Sequence, residues 1–282
     1  MRAEGAGRRR CGVIGSPVAH SLSPVLHRAA YAELGLDWTY DAHEVTAGDL
    51  DAFMAGLTAS WVGLSVTMPL KRAVIRHSVA VDEAGAAVLA ANTLVRRGGN
   101  GWAAANTDVT GFELGLARVG VTAVRTAAVL GAGATASSAV YALARLGAQS
   151  VTVFARSEAR AARLAPVAER VGVSLQTLPM DTETWPLVDV LVSTIPAAAQ
   201  ASVADRAAGS AATVFDVTYH PARTPVLDAA MAAGRRTVPG FELLLQQAGR
   251  QVVLMTGCES APLDAMRTAG EAALLQTSRR AT

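Results

Sequence analysis

The chain has 282 residues, a formal net charge of +2, two cysteines and a hydrophobic share of 51%. That length can bury a core in two domains. Cys11 and Cys258 lack metal-ligand or redox spacing, which excludes a disulfide scaffold or zinc module and fits a reducing cytoplasm. Of 25 basic and 23 acidic residues, 6 and 1 lie at the ends (Arg2, Arg8, Arg9, Arg10, Arg279 and Arg280 against Glu4), leaving 19 and 22 in a slightly acidic body without a nucleic-acid footprint.

Taken in chain order, the basic ends are expected to be disordered. Arg8-Arg9-Arg10 before an apolar run has the outline of a leader, but Pro17 and His20 cut that run short, so no signal peptide is read. The run itself, 11–15, is a strand. In Ser21-Leu22-Ser23-Pro24, Pro24 suits the first position of a helix over 24–34 and makes Ser23 a natural N-cap. That accounts for Ser23 but not for Ser21, and two hydroxyls beside a helix N-terminus suit a small carboxylate. His20 reads as a packing or hydrogen-bonding loop residue. Strands follow at 38–45 and 61–67 with a helix at 47–56 between them, then helices at 69–78 and 81–87. Strands at 92–96 and 102–106 join through Arg97-Gly98-Gly99-Asn100-Gly101, a hairpin turn because Asn and Gly tolerate positive φ. The first three strands imply parallel pairing and the hairpin an antiparallel pair. Asn92 and Asn106 flank that hairpin and are expected close together.

Lys71 is the only lysine, beside 24 arginines. Arginine stays protonated at any working pH, whereas lysine can give up and regain a proton. A lone lysine just after a strand, in Ser65-Val66-Thr67-Met68-Pro69-Leu70-Lys71, therefore reads as a proton-transfer residue in an active-site loop.

A second alternating set begins at 126, with strands at 127–130, 151–154, 174–178, 189–193 and 213–217 and helices at 134–146 and 158–171. It reads as a doubly wound parallel sheet. The uncharged stretch from Thr126 to Ala144 is broken by Gly, Ser and Thr and is strand–turn–helix rather than a membrane span. Within it, Gly131-Ala132-Gly133-Ala134-Thr135-Ala136 has the G-x-G-x-x-A dinucleotide fingerprint. Gly131 allows the tight turn, Gly133 lets the backbone approach a pyrophosphate, and Ala136 keeps helix and sheet close. The next strand ends in Ala155-Arg156-Ser157 instead of an acid, with Arg160 one turn on. This favours the 2′-phosphate of NADP over NAD. Arg163 reads as a solvated helix charge. Helices at 241–256 and 261–275 close the chain with no strand after them and are expected to return to the first domain.

Seven ordered segments resemble the shikimate dehydrogenase family: S-P-V-A-H-S-L-S-P at 16–24, S-V-T-M-P-L-K at 65–71, A-N-T-L at 91–94, N-T-D at 106–108, G-A-G-A-T-A at 131–136, D-V-T-Y at 216–219 and L-L-L-Q-Q-A at 243–248. The resemblance covers nearly the whole chain. It implies NADP-linked reduction of 3-dehydroshikimate to shikimate by a cytoplasmic monomer or homodimer without membrane or nucleic-acid partners. The implied fold is α/β in two domains with a cleft between them: a substrate domain (1–107 plus 242–282) with a mostly parallel sheet, and a Rossmann-type doubly wound NADP domain (108–241). Carried over by residue, Ser21 and Ser23 hold the substrate carboxylate. Thr67, Asn92 and Asp108 meet ring hydroxyls, Lys71 and Asp108 form the catalytic pair, and Gln247 and Tyr219 reach the substrate. Gly131, Ala132, Gly133, Ala134, Ala136, Arg156, Ser157 and Arg160 serve the cofactor, and Gly240 lies near the nicotinamide. No metal is implied.

Ser65, Ser193 and His220 stand where the family usually has Asn, Ala155 where Asn often precedes the arginine, and Leu243 where Met is frequent. With Ser65, one substrate hydrogen bond is expected to be lost, shortened or replaced by water. The alternatives are a quinate or aminoshikimate dehydrogenase of the same family, or a non-catalytic dinucleotide sensor. A folate-linked dehydrogenase fits the S-x-S segment poorly.

Overall fold

A computed structural model describes residues 8–98 and 101–280. Arg2, Glu4 and the turn residue Asn100 lie outside the described residues. The chain divides into two compact units, Met1–Thr107 with Gln247–Thr282 and Asp108–Gln246.

In the first unit the elements run β1 (Arg10–Gly15), α1 (Ser23–Glu33), β2 (Thr39–Glu44), α2 (Leu50–Ala55), β3 (Trp61–Val66), β4 (Ala80–Val81), α3 (Glu83–Val88), β5 (Thr93–Arg96) and β6 (Trp102–Ala105). The sheet order is β2-β1-β3-β5-β6-β4. β1 pairs in parallel with β2 and β3, whereas β5 is antiparallel to β3 and β6. A one-residue change of register would turn Ile14, Leu64, Leu94 and Ala104 out of their shared core with Trp61 and Trp102. β3 ends at the loop carrying Thr67 and Lys71, and β1 ends at the loop carrying Ser21.

The second unit runs α4 (Asp108–Arg118), β7 (Thr126–Leu130), α5 (Ala134–Arg145), β8 (Ser150–Ala155), α6 (Glu158–Ala161), α7 (Ala165–Arg170), β9 (Ser174–Pro179), β10 (Val188–Ser193), α8 (Ala204–Ser210), β11 (Ala211–Asp216), α9 (Pro225–Ala232) and β12 (Arg236–Val238). Its six parallel strands are ordered β12-β11-β10-β7-β8-β9. This is the dinucleotide-binding order, with its switch point between β7 and β10. Helix α10 (Gly240–Thr256) then crosses into the first unit at Gln247, and α11 (Leu263–Arg280) packs along α1. The division falls inside α10 because a continuous helix offers no linker. Among the described residues, no helix is long and apolar enough to cross a membrane.

Five expectations need correction. The N-terminal arginines are ordered from Arg8 onward because their side chains find partners. Arg8 pairs with Asp37 at 2.7 Å, and Arg9 and Arg10 lie 5.3 and 4.5 Å over the rings of Trp38 and Trp61. At the other end, Arg279 and Arg280 belong to the last turn of α11, since no Gly or Pro after Leu275 breaks the helix before them. The segment after β3 forms turns and a 3₁₀ helix at Ala73–His77, not an α-helix over 69–78. Its first part is held by the Lys71 carbonyl, which accepts from Ala91 N–H at 2.7 Å. Val81 pairs with Ala104 as a strand, since the Asp82 side chain caps α3 by accepting from Gly85 N–H at 2.7 Å. The helix expected over 158–171 is interrupted by a 3₁₀ turn at Ala162–Leu164 before Pro166, which opens α7.

Candidate active site

In the first unit, Gly15 allows the ends of β1 and β3 to approach, because a Cβ there would overlap Thr67 Cγ2 and the Met68 carbonyl. Ser16 N–H donates to that carbonyl at 2.9 Å, so the Ser16–Ser23 loop runs beside the loop holding Thr67 and Lys71. Ser23 is the first residue of α1, and its N–H donates to Ser21 Oγ at 3.3 Å. The N-cap is Leu22 and α1 has no side-chain cap, so Ser23 does not take the capping role expected of it. The Ser23 side chain is buried. Thr67 and Lys71 are both half-buried.

Asn92 is 1% exposed. Its Oδ1 accepts from Thr107 N–H at 2.8 Å, Thr93 Oγ1 at 2.9 Å and Thr107 Oγ1 at 3.1 Å. Its Nδ2 donates to Gln247 Oε1 at 2.7 Å, across 155 positions of sequence. The neighbouring Gln246 instead donates to Glu242 Oε1 at 2.7 Å within α10. Asn106 lies close to Asn92, as the hairpin predicts: Asn92 N–H donates to Ala105 O at 3.1 Å, while Asn106 Nδ2 donates to Ala90 O at 2.9 Å. Asp82 was invisible as a site support, yet it accepts from Asn106 N–H as well as capping α3.

Ser65 does not face outward as a shortened substrate ligand. It is buried, accepts from Tyr40 Oη at 2.5 Å and donates to Gln251 Oε1 at 2.7 Å. Gln251, on α10 one turn beyond Gln247, also accepts from His27 Nε2 at 3.2 Å. It donates to the Asn92 carbonyl and to Thr93 Oγ1, each at 3.2 Å. No motif flagged Gln251; its four-residue spacing from Gln247 was the available signal. His27 is wholly buried and stacks on Tyr40 with ring centroids 4.0 Å apart. Burial lowers its pKa to about 4.

In the second unit, Gly131 follows β7 with φ +101°, and a Cβ there would lie 2.5 Å from Thr194 Oγ1. Gly133 precedes α5, and a Cβ there would meet no protein atom within 4 Å. The space beside Gly133 is thus a cradle open toward the helix N-terminus, fitted to a pyrophosphate. Ala132 and Ala134 line the same turn, half-exposed, and Ala136 is fully buried against the sheet. Ser157 caps α6 by accepting from Arg160 N–H at 3.3 Å. Arg156 and Arg160 are exposed, at the strand end where a 2′-phosphate would be read.

Asp108 opens α4 and is 1% exposed. Tyr219 is half-buried in the loop after β11. That loop is tied down by Asp216, which accepts from Thr224 Oγ1 at 2.6 Å, Gln200 Nε2 at 2.9 Å and Thr218 N–H at 3.2 Å. Burial raises the Asp216 pKa although these bonds oppose it. Gly240 packs on the Val217–Thr218 backbone, where a Cβ would overlap the Val217 carbonyl. Ser193 joins this network through Gln200 Nε2 at 3.4 Å.

Two family profiles match the chain: "Shikimate dehydrogenase substrate binding domain" over residues 13–94 and "Shikimate / quinate 5-dehydrogenase" over 113–213. A shikimate dehydrogenase (NADP(+)) of Geobacter metallireducens is 37% identical, covering 90% of this chain and 93% of its own. The crystal structure of Mycobacterium tuberculosis shikimate dehydrogenase is 43% identical with a TM-score of 0.84, covering 94% of this chain and 99% of its own. A Thermus thermophilus shikimate 5-dehydrogenase, solved in complex with NADP(H) and shikimate, is 28% identical with a TM-score of 0.80, covering 94% and 99%.

Proposed function

Because the chain belongs to the shikimate dehydrogenase family, we propose that it catalyses the reversible NADPH-dependent reduction of 3-dehydroshikimate to shikimate, a step of aromatic amino acid biosynthesis. It is an NADP-dependent oxidoreductase acting on a CH–OH group. The observation that carries the reading is the hydrogen bond between Asn92 and Gln247, which joins two distant motifs in one unit at 2.7 Å.

When bound, NADPH would supply the hydride, and NADP+ would take it back in the reverse direction. The chain supplies the rest. Ser21 and Ser23 hold the carboxylate beside the N-terminus of α1. Thr67, Asn92 and Asp108 meet the ring hydroxyls, and Gln247 and Tyr219 complete the grip. Hydride addition to the ketone builds negative charge on its oxygen, so a donor there lowers the barrier. Lys71 gives that proton and recovers it in the reverse direction, with Asp108 as its proton-transfer partner. Gly131, Ala132, Gly133, Ala134 and Ala136 cradle the pyrophosphate. Ser157 starts the helix that presents Arg156 and Arg160 to the 2′-phosphate, and Gly240 lies near the nicotinamide. The enzyme works in the cytoplasm as a monomer or homodimer, two states that light scattering separates.

Initial rates with shikimate or quinate, each with NADP or NAD, test the reading. Rapid turnover confined largely to shikimate with NADP is expected. Comparable rates with quinate would move the chain to the dual-specificity branch, and folded protein that binds NADPH yet turns over neither acid would refute the assignment.

A further inference from the structure

We propose that Gln251 is a positioning residue that fixes the orientation of the Asn92 amide, and that Ser65, Tyr40 and His27 act through Gln251 instead of touching substrate. This rests on the function proposed above and extends it to a residue outside the seven motifs.

Backbone groups settle the direction of the chain of hydrogen bonds. One end of the Gln251 amide faces the Asn92 carbonyl, which can only accept, so that end is the NH₂ group. The other end is then the oxygen, and it meets two donors, His27 Nε2–H and Ser65 Oγ–H. Tyr40 Oη–H donates to Ser65 and so leaves the serine proton for Gln251. The Gln251 amide thus makes four hydrogen bonds in a site where it is 3% exposed. Its NH₂ also donates to Thr93 Oγ1, which directs the Thr93 proton onto Asn92 Oδ1.

Asn92 is fixed by the same logic. Thr107 N–H can only donate, so the atom facing it is Oδ1. The opposite end is therefore NH₂, and it meets Gln247 at its oxygen. Gln247 is left with its own NH₂ as the end available to a ligand. Gln247 consequently offers an N–H donor to the substrate, and the ring oxygen opposite it must accept. A flip of Asn92 would oppose its oxygen to Gln247 Oε1 and its NH₂ to Thr107 N–H. Gln251 holds both the backbone carbonyl and, through Thr93, the side-chain oxygen of Asn92 against that flip. The serine at 65 thereby acquires a role: it is short enough to turn inward to Gln251.

The experiment compares Gln251→Met, which keeps volume and removes the amide, with the pair Thr93→Val and Thr93→Ser. Only the valine breaks the relay while preserving shape. Substrates are shikimate and its 4-deoxy and 5-deoxy analogues, with NADP varied separately. Gln251→Met and Thr93→Val are expected to lower kcat/KM for shikimate about tenfold, the worth of one well-made hydrogen bond. Thr93→Ser should stay within twofold of the parent, as should the KM for NADP in every variant. For one deoxy analogue, the one lacking the hydroxyl met by Asn92, variant and parent should converge.

Unchanged kcat/KM in Gln251→Met, or an equal loss on shikimate and on both analogues, would overturn the proposal. If Gln251→Met does not fold, the Thr93 pair decides, because equal rates in valine and serine variants overturn it too. A parent without shikimate turnover would overturn the functional reading, and this proposal with it. A parent with turnover but insensitive variants would overturn this proposal alone.

Discussion

Lowering the pH from 7 to 5 should destabilise the first unit through His27. The imidazole is fully buried, and burial lowers its pKa from 6.5 to about 4. The surroundings hold no countercharge: Cys11 is pushed up to about 12 by burial, and burial also raises Tyr31 and Tyr40, so all three stay neutral. In the window between about 4 and 6.5 the unfolded chain binds a proton that the folded chain refuses. Stability is therefore full above 6.5 and falls as the pH drops toward 4. At pH 5 the loss is about 2 kcal/mol, against about 0.2 kcal/mol at pH 7. For a unit of roughly 140 residues this moves Tm down by about 7 °C. Asp216, in the second unit, has a raised pKa and acts with the opposite sign: above its ordinary 3.8 it favours the folded state as pH falls. The assay is thermal unfolding followed by tryptophan fluorescence, since Trp38, Trp61 and Trp102 lie in the first unit and Trp185 in the second. His27→Gln can still donate to Gln251 but cannot titrate, so its Tm should fall clearly less than the parent's from pH 7 to 5 after an offset for the lost ring stacking, the remaining slope including His43, whose pKa burial also lowers. Equal slopes in parent and variant would refute the argument.

Other substitutions separate chemistry, cofactor binding and fold. Lys71→Arg should lower kcat by roughly 10²–10⁴ with little change in shikimate KM, because the charge stays while proton exchange is lost; an unchanged kcat in steady-state assays removes the acid–base role. Gly133→Ala should leave Tm nearly unchanged, since the added Cβ meets no protein atom, yet weaken NADPH at least about tenfold by calorimetry through filling the cradle. Gly131→Ala should instead cost about 2 kcal/mol or more in denaturant unfolding, because φ is +101° and Thr194 Oγ1 stands 2.5 Å from the new Cβ. Arg156→Glu should raise the KM for NADP by about a hundredfold and that for NAD far less; a parallel rise in both would take the 2′-phosphate away from Arg156.

Much of this architecture could be read from the sequence because its signals are local. The dinucleotide turn needs Gly131 and Gly133 next to a strand, and that requirement shows within a few residues. The hairpin likewise brought Asn92 near Asn106 through turn chemistry alone. Less legible features depend on partners distant in sequence. A lost or shortened substrate contact at Ser65 was legible, but nothing nearby revealed that Tyr40 and Gln251 would claim its hydroxyl. The N-terminal arginines looked like a tail because Trp38 and Trp61, which cover Arg9 and Arg10, come later in the chain. Asp82 was passed over for a different reason: its capping of α3 is a local signal, but Val81 before it had been read as helix. Strand β12 carries Arg236 and Thr237, with only Val238 of its three residues buried, and so leaves almost no alternating pattern.

The isolation of Lys71 also shapes how the protein can be handled. Reagents that acylate or alkylate amines find one ε-amino group in the whole chain, half-buried in the loop after β3. Apart from the α-amine, random surface labelling becomes labelling of a single position. Coupling the protein to a solid support through lysine would anchor it by the residue assigned to proton transfer. A titration with such a reagent tests the role proposed for Lys71, since each equivalent of dye bound there should silence one site.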